Sequence, residues 1–186
     1  FLSRGNVEDA EASLRGASDA ESLALHSVIA LARNEAGNAI ELGRRAVDAA
    51  SDSSAAHLAL SYALQAAVDL DGALDSARRA AAIDPDNGYA WTRVAELESS
   101  AGYFRDALVS AEKAVEKSLA LTRSDSARAY TILGFVRLTR METGAALDAF
   151  REAQDAVRGS AGSAQADPLL PLGIGLALIR LNRLGG

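Results

Sequence analysis

Apolar and polar residues follow the period of an α-helix along this chain, most clearly in residues 88–115, GYAWTRVAELESSAGYFRDALVSAEKAV. Within each half of that stretch, apolar side chains recur at i, i+3, i+4 and i+7, which is the spacing of a helix that buries one face. The stretch is therefore predicted to form two short amphipathic helices joined by a tight turn at Ala101-Gly102.

The same helical pair recurs at a fixed interval. Moving the pattern back by 34 residues, and then by 34 again, brings small or apolar residues onto equivalent positions. The matched rows are Ala39, Ala73 and Ala107, and Ala46, Ala80 and Ala114. A helical hairpin that repeats every 34 residues is the signature of a tetratricopeptide array.

This period divides the chain into the parts of a single array. The expected parts are the second half of a repeat at 5–17, complete repeats at 20–53, 54–87, 88–126 and 127–167, and the first helix of a further repeat at 168–186. Both ends of the sequence are then expected to fall inside a repeat of a longer chain.

Local signals refine these boundaries. Between Ala107 and Ala146 the period lengthens to 39 residues, which predicts a longer second helix in that repeat. Residues 158–166, RGSAGSAQA, are typical of a linker, and Asp167-Pro168 is expected to restart a helix. Helix caps, whose side chains accept hydrogen bonds from first-turn amides, are predicted at Ser18 or Asp19, Asp52 or Ser53, and Ser124 or Asp125.

The chain resembles the tetratricopeptide repeat family over essentially its whole length. In that family, position 8 of each repeat is small, and positions 20 and 27 are alanine because the two helices of a hairpin cross most closely there. Position 8 here holds Ser27, Ser61, Ala95, Gly134 and Gly175. Glu98 and Arg137 depart from the apolar residue usual at position 11. The resemblance implies an all-α fold, a right-handed superhelix of antiparallel helical hairpins.

The resemblance also implies a concave face, lined by the first helices through positions 2, 5, 9 and 12. The residues assigned to this face are Leu58, Tyr62, Gln65, Tyr89, Thr92, Arg93, Glu96, Arg128, Thr131, Phe135 and Leu138. The same positions of the last predicted helix hold Leu169, Leu172, Leu176 and Ile179. Tyr62, Tyr89 and Phe135 are the expected anchors for an apolar or amphipathic peptide or helix. The alternative is that some of these side chains only pack against neighbouring repeats. Arg93 and Arg128 either meet and hold an acidic side chain or are solvated separately.

The last predicted helix is apolar on almost every side, and such a helix has to be covered. An exposed apolar patch of that size marks an interface. The residues assigned to self-association are Leu169, Leu172, Ile174, Leu176 and Ile179. They support a second hypothesis, in which the chain is a structural or self-assembly module of a larger regulatory or cell-envelope protein and forms a homodimer through this helix.

Composition limits the kinds of partner that the chain is expected to bind. The net charge of −6, from 25 acidic and 19 basic side chains, argues against nucleic acid, which needs a basic face; an RNA-reading helical repeat fits poorly for the same reason. The longest apolar run, 168–179, has 12 residues, short of the roughly 20 that span a bilayer. Without cysteine, the chain suits the cytoplasm and the periplasm equally.

Catalytic, cofactor and metal sites are not expected. His26 and His57 fall where helices pack together, and they lack the three or four converging ligands that zinc or iron needs. Gly173-x-Gly175 lies inside a predicted helix and follows no strand, so it is not a nucleotide-binding loop. The family's clamp for a terminal carboxylate is excluded, because Lys113 and Lys117 lie on a second helix. The chain is predicted to be a non-catalytic scaffold that binds a protein or peptide.

Overall fold

The computed structural model describes residues 19–121, 126–159 and 167–184, and these ranges contain helices and turns but no strand. The helices are α1 (Ala20–Ala32), α2 (Ala36–Ala49), α3 (Ser54–Ala66), α4 (Leu70–Ile83), α5 (Gly88–Ser100), α6 (Phe104–Leu121), α7 (Ser126–Thr139), α8 (Thr143–Gly159) and α9 (Leu169–Leu184). The chain forms two compact units, Phe1–Pro85 and Asp86–Gly186.

Each unit is a stack of helical hairpins. In the first unit α1 pairs with α2 and α3 with α4, and α1 also packs against α3. In the second unit α5 pairs with α6 and α7 with α8, while the first helices α5, α7 and α9 pack in succession. Stacking of first helix on first helix is how repeats bury a continuous core, so the predicted all-α solenoid fold is confirmed.

The turn inside each hairpin uses one residue in the left-handed region. These residues are Asn34 (φ 61°), Val68 (φ 66°), Gly102 (φ 83°) and Met141 (φ 66°). In each turn the next amide donates to a carbonyl five residues back; Glu35 N–H, for example, donates to Ala30 O at 2.9 Å. This is the Schellman motif, which satisfies carbonyls that the helix end leaves without partners. The predicted turn at Ala101-Gly102 is confirmed.

Several helices begin with a side-chain cap. Asp19 accepts from Ser22 N–H at 3.0 Å, and Ser53 accepts from Ala56 N–H at 3.2 Å, which confirms two of the predicted caps. Helix α6 runs for 18 residues, so the longer second helix is confirmed as well. The cap predicted at 124 or 125 and the helix predicted at 5–17 lie outside the described residues. Helix α8 extends to Gly159, so the linker prediction was wrong for residues 158 and 159.

Alanine occupies the positions where paired helices approach most closely. Two rows of equivalent alanines are fully buried: Ala39, Ala73, Ala107 and Ala146 in one row, and Ala46, Ala80, Ala114 and Ala153 in the other. A larger side chain at such a crossing forces its neighbours out of place, typically at a cost of about 1–3 kcal/mol. The repeat of small residues is therefore a packing requirement. No helix in the described part of the chain is long and apolar enough to cross a membrane.

Candidate functional site: an apolar groove in the second unit

The second unit carries an apolar groove between α7 and α9, with a volume of about 520 Å³. Its lining residues are Phe135, Leu138, Thr139, Leu176, Ile179 and Arg180. Leu176 and Ile179 are 46% and 55% exposed, so the α9 side of this α7–α9 groove presents apolar surface to solvent.

The groove brings together equivalent positions of two successive repeats. Phe135 and Leu138 are three residues apart on α7, as are Leu176 and Ile179 on α9, and side chains at that spacing share one face of a helix. Repeat position had assigned both pairs to the concave face, and the second pair had been assigned to self-association as well. In the structure, the two pairs line one surface.

The wall of the groove rests on a buried aromatic ring. Phe150 of α8 is fully buried, and the ring of Phe135 meets it edge to face with centroids 5.2 Å apart. Phe150 also lies against Gly134 of α7 and Gly173 of α9: a Cβ atom at either glycine would come within 2.4 Å of the ring. Close contact at both glycines seats α7 and α9 against the same side chain.

At one end of the groove, Arg180 joins α9 to the end of α7. Its Nη1 donates to Leu138 O at 2.9 Å, and its Nη2 contacts the Sδ atom of Met141. A cation at the C-terminal end of a helix interacts favourably with the exposed carbonyls there. Arg180 is half-buried in this position.

At the start of α7, a charged cluster ties three first helices together. The Arg128 guanidinium contacts Glu96 of α5 through Nε at 3.1 Å, and Asp167 through Nη1 at 3.3 Å. Asp167 in turn caps α9 by accepting from Leu169 N–H at 2.9 Å. Arg93 contacts the other oxygen of Glu96 at 3.2 Å. Arg93 and Arg128 thus share an acidic side chain, Glu96 of the chain itself, rather than being solvated separately as the alternative had it.

The other residues that were assigned to the concave face differ in how exposed they are. Thr92 and Thr131 are buried, and their hydroxyls donate to Gly88 O and Ala127 O within their own helices at 2.8 and 2.9 Å. They lie beneath the surface that a partner would touch, as does Arg93, which is also buried. Leu138 is largely buried too, but it lines the α7–α9 groove. Tyr89 is exposed on the first turn of α5. Leu58, Tyr62 and Gln65 belong to the first unit, where Tyr62 is exposed and the other two are half-buried.

The self-association residues also divide. Leu169, Leu172, Leu176 and Ile179 are exposed, whereas Ile174 packs against the cluster around Phe150. Helix α9 is therefore covered on one side, through Leu170, Ile174 and Ala177, although its composition predicted cover on every side.

Sequence reasoning missed three residues at the Arg180 end of the groove: Thr139, Met141 and Arg180. One signal was available, because Arg180 is the first charged residue after Asp167 and follows an apolar run. Met141 is a largely exposed apolar residue at the end of α7, and flexible methionines are common on surfaces that adapt to different partners.

Side chains with catalytic or metal-binding potential are dispersed. Among the residues that the structure describes, no three His, Asp or Glu side chains converge as a metal ion requires. His57 is buried, as expected, and its Nε2 lies 3.1 Å from Ser51 O. A carbonyl can only accept, so Nε2 carries the proton.

Comparisons with known proteins support the fold. No protein-family model and no curated protein matches the chain. Among solved structures, it is similar to TTC0263, "a thermophilic TPR protein" of Thermus thermophilus (20% identity, 95% of this chain and 91% of that one, TM-score 0.75). Pseudomonas aeruginosa pilF is 19% identical over 88% of this chain and 69% of its own, with a TM-score of 0.75.

A third similar structure is the APC/C hetero-tetramer Cut9-Hcn1, at 14% identity and a TM-score of 0.77, which covers 96% of this chain and 32% of that one. At such identities the likeness speaks for the fold. The 34-residue period, the hairpin turns at equivalent positions and these structural matches agree: the chain has the tetratricopeptide repeat fold.

Proposed function

We propose that this chain is a non-catalytic protein-interaction scaffold that binds an apolar or amphipathic peptide or helix of a partner in the α7–α9 groove. The observation that carries the proposal is the pairing of Leu176 and Ile179, both about half exposed, with Phe135 and Leu138 across a hollow of about 520 Å³. That volume is far larger than the roughly 30 Å³ that one water molecule occupies, so it has room for side chains.

The energetics favour an apolar occupant. Complete burial of a leucine or isoleucine side chain contributes about 1.5–3 kcal/mol, so covering the exposed halves of Leu176 and Ile179 is worth roughly 1 kcal/mol each. An amphipathic helix laid into such a groove presents apolar residues at i, i+3 or i+4 and i+7. The groove spans about one turn of α7 (135–139) and one turn of α9 (176–180), so two such apolar residues, one turn apart, fit within it.

The fold adds support of a general kind. Solenoid repeats expose extended surfaces that other proteins use, and the similar Cut9-Hcn1 structure is that of a hetero-tetramer. On this proposal the charged cluster around Glu96 positions the helices, and the apolar groove provides the contact.

The test is a selection of helical peptides from a displayed library against the full chain. The double variant Leu176→Gln with Ile179→Gln is expected to bind the selected peptides at least tenfold more weakly, because two apolar contacts are lost. The matched control is Val109→Gln with Leu119→Gln, which alters two similarly exposed apolar residues of α6 outside the groove. Equal binding by the two double variants, or a library that yields no binder, would contradict the proposal.

A second candidate function is self-association through α9, as a structural module of a larger protein. The observation in its favour is that Leu172 and Leu178, which do not line the groove, are 54% and 49% exposed on the same helix. Sedimentation velocity at increasing protein concentration tests it. A dimer that Leu172→Gln with Leu178→Gln abolishes would support self-association, and a monomer at every concentration would contradict it.

A further inference from the structure

We infer that Arg180 determines the chemistry of the segment that the groove binds: an apolar helical segment with an acidic side chain about one turn from its apolar anchor. This inference rests on the proposed function and adds a specificity-determining residue to it.

Arg180 is placed to meet such a group. It is the charged member of the six residues that line the groove, beside Leu138 and Ile179. Two of its nitrogens are engaged, one with Leu138 O and one with Met141. A guanidinium has five N–H donors, so three remain after these contacts. Among the described side chains, no carboxylate forms an ion pair with Arg180, although Arg137 and Arg140, which flank Leu138 in the sequence, both pair with glutamates.

The other end of the same face differs. There, Arg128 is paired with Glu96 and Asp167, so that its charge is balanced within the chain. Arg128 and Leu138 are ten residues apart on α7, a separation of roughly 15 Å along a helix axis. One end of the face is thus neutralised and the other is cationic, so an acidic residue at one end of the bound segment would also set its direction.

The geometry of Arg180 favours a directional hydrogen-bonded contact with a carboxylate over a diffuse electrostatic attraction. Its hydrogen bond to Leu138 O holds the guanidinium in place before a partner arrives, which reduces the entropy lost on binding. Partial burial limits screening by solvent, and a guanidinium can bind a carboxylate through two parallel hydrogen bonds. The chain as a whole carries a charge of −6 and therefore repels an acidic group. Beside Arg180, the local positive charge attracts such a group instead.

We assign the carboxylate to an Asp or Glu side chain. The proposed occupant is an amphipathic helix, so the acidic group belongs to a residue within that helix. The probes are therefore peptides with an acetylated N-terminus and an amidated C-terminus, which removes both terminal charges.

The experiment compares two such peptides, taken from the strongest binder of the library selection. One carries glutamate one helical turn from its apolar anchor, and the other carries glutamine at that position. Fluorescence anisotropy measures their affinity for the full chain and for Arg180→Gln. The wild-type chain is expected to prefer the glutamate peptide roughly three- to tenfold, and Arg180→Gln is expected to lose that preference. Arg158→Gln is the charge-matched control, since Arg158 lies exposed on α8 beside Asp155, and it should keep the preference.

The outcomes separate the inference from the proposed function. Equal affinity of the wild-type chain for both peptides would overturn the role of Arg180 while leaving groove binding intact. An equal loss of affinity for both peptides in Arg180→Gln would also overturn the role of Arg180. Such a result would show that Arg180 acts only by holding α9 against Leu138. If neither peptide depends on Leu176 and Ile179, the proposed function itself fails.

Discussion

Phe150 meets Phe135 edge to face, with ring centroids 5.2 Å apart and ring planes at 75°. The quadrupoles of two aromatic rings favour this arrangement. Phe135 lines the groove, whereas Phe150 is fully buried against Gly134 and Gly173. The position of α9 on Phe150 therefore controls the width of the groove.

A methyl group at Gly173 should disturb the packing of α9 against Phe150. In Gly173→Ala the new Cβ would lie 2.4 Å from the Phe150 ring, which is fully buried and has little space to move. Overpacking of this kind costs about 1–3 kcal/mol, and the better helix propensity of alanine, worth up to about 1 kcal/mol, offsets only part of it. We expect a net loss of roughly 1–2 kcal/mol in the free energy of unfolding, measured by urea denaturation.

The same helix supplies the control. Gly175 has no atom of the described residues within 4 Å of its Cβ position, so Gly175→Ala gains helix propensity without a clash. We expect it to stabilise the chain by about 0.5–1 kcal/mol. If both substitutions changed stability in the same direction, close packing on Phe150 would not be what seats α9.

The hairpins could be predicted from the sequence because their signals are local. Caps at Asp19 and Ser53 and the turn at Gly102 are decided by residues adjacent in the chain. The left-handed turns at Val68 and Met141 carried no such signal, since neither residue type favours positive φ. They follow from their place in the repeat, because packing of the paired helices imposes the turn.

The groove could be predicted only in part. The position of Phe135 in the repeat identified its face, and the apolar composition of α9 indicated an exposed surface. Repeat position also placed Leu176 and Ile179 on the face of Phe135, but the hollow between α7 and α9 depends on how the two helices pack. Arg180 was missed because its partner, Leu138 O, is 42 residues away in the chain, a distance over which spacing carries no information.

The turn at Val68 offers a stabilising substitution. A β-branched residue in the left-handed region is strained, and the cost for ordinary L-residues is about 1–2 kcal/mol. Asparagine tolerates this conformation and already occupies the equivalent turn at Asn34. Because Val68 is largely exposed, Val68→Asn loses little packing. We expect a gain of about 1 kcal/mol by urea denaturation and a comparable loss for Asn34→Val. A loss of stability in Val68→Asn would show that the turn is not strained.

The cap at Asp19 should make stability depend on pH. Hydrogen bonds from the backbone N–H and the hydroxyl of Ser22 lower the pKa of Asp19 below its ordinary value of 3.8. A carboxyl whose pKa is lowered by folding stabilises the chain above its unfolded pKa and loses that contribution as pH falls. The Tm difference between the wild-type chain and Asp19→Ala should be full at neutral pH and shrink as the pH falls below about 4.

Ser53 provides the control for that experiment, since its hydroxyl caps α3 without titrating. Ser53→Ala should cost about 1 kcal/mol. Its Tm difference from the wild-type chain should stay constant over the same pH range. A constant Tm difference for Asp19→Ala down to pH 2 would contradict the assignment of the pH dependence to this cap.

Glu96 should contribute more to stability than Arg128, although the two side chains form an ion pair. Arg128 is 44% exposed, so Arg128→Gln removes a contact that water screens and is expected to cost no more than about 1 kcal/mol. Glu96 also contacts Arg93, which is only 2% exposed, and removing one partner of a buried ion pair is far more costly. Urea denaturation should show a loss of at least about 2 kcal/mol for Glu96→Gln. If Glu96→Gln and Arg128→Gln were equally destabilising, the contact between Glu96 and Arg93 would contribute nothing beyond the exposed pair.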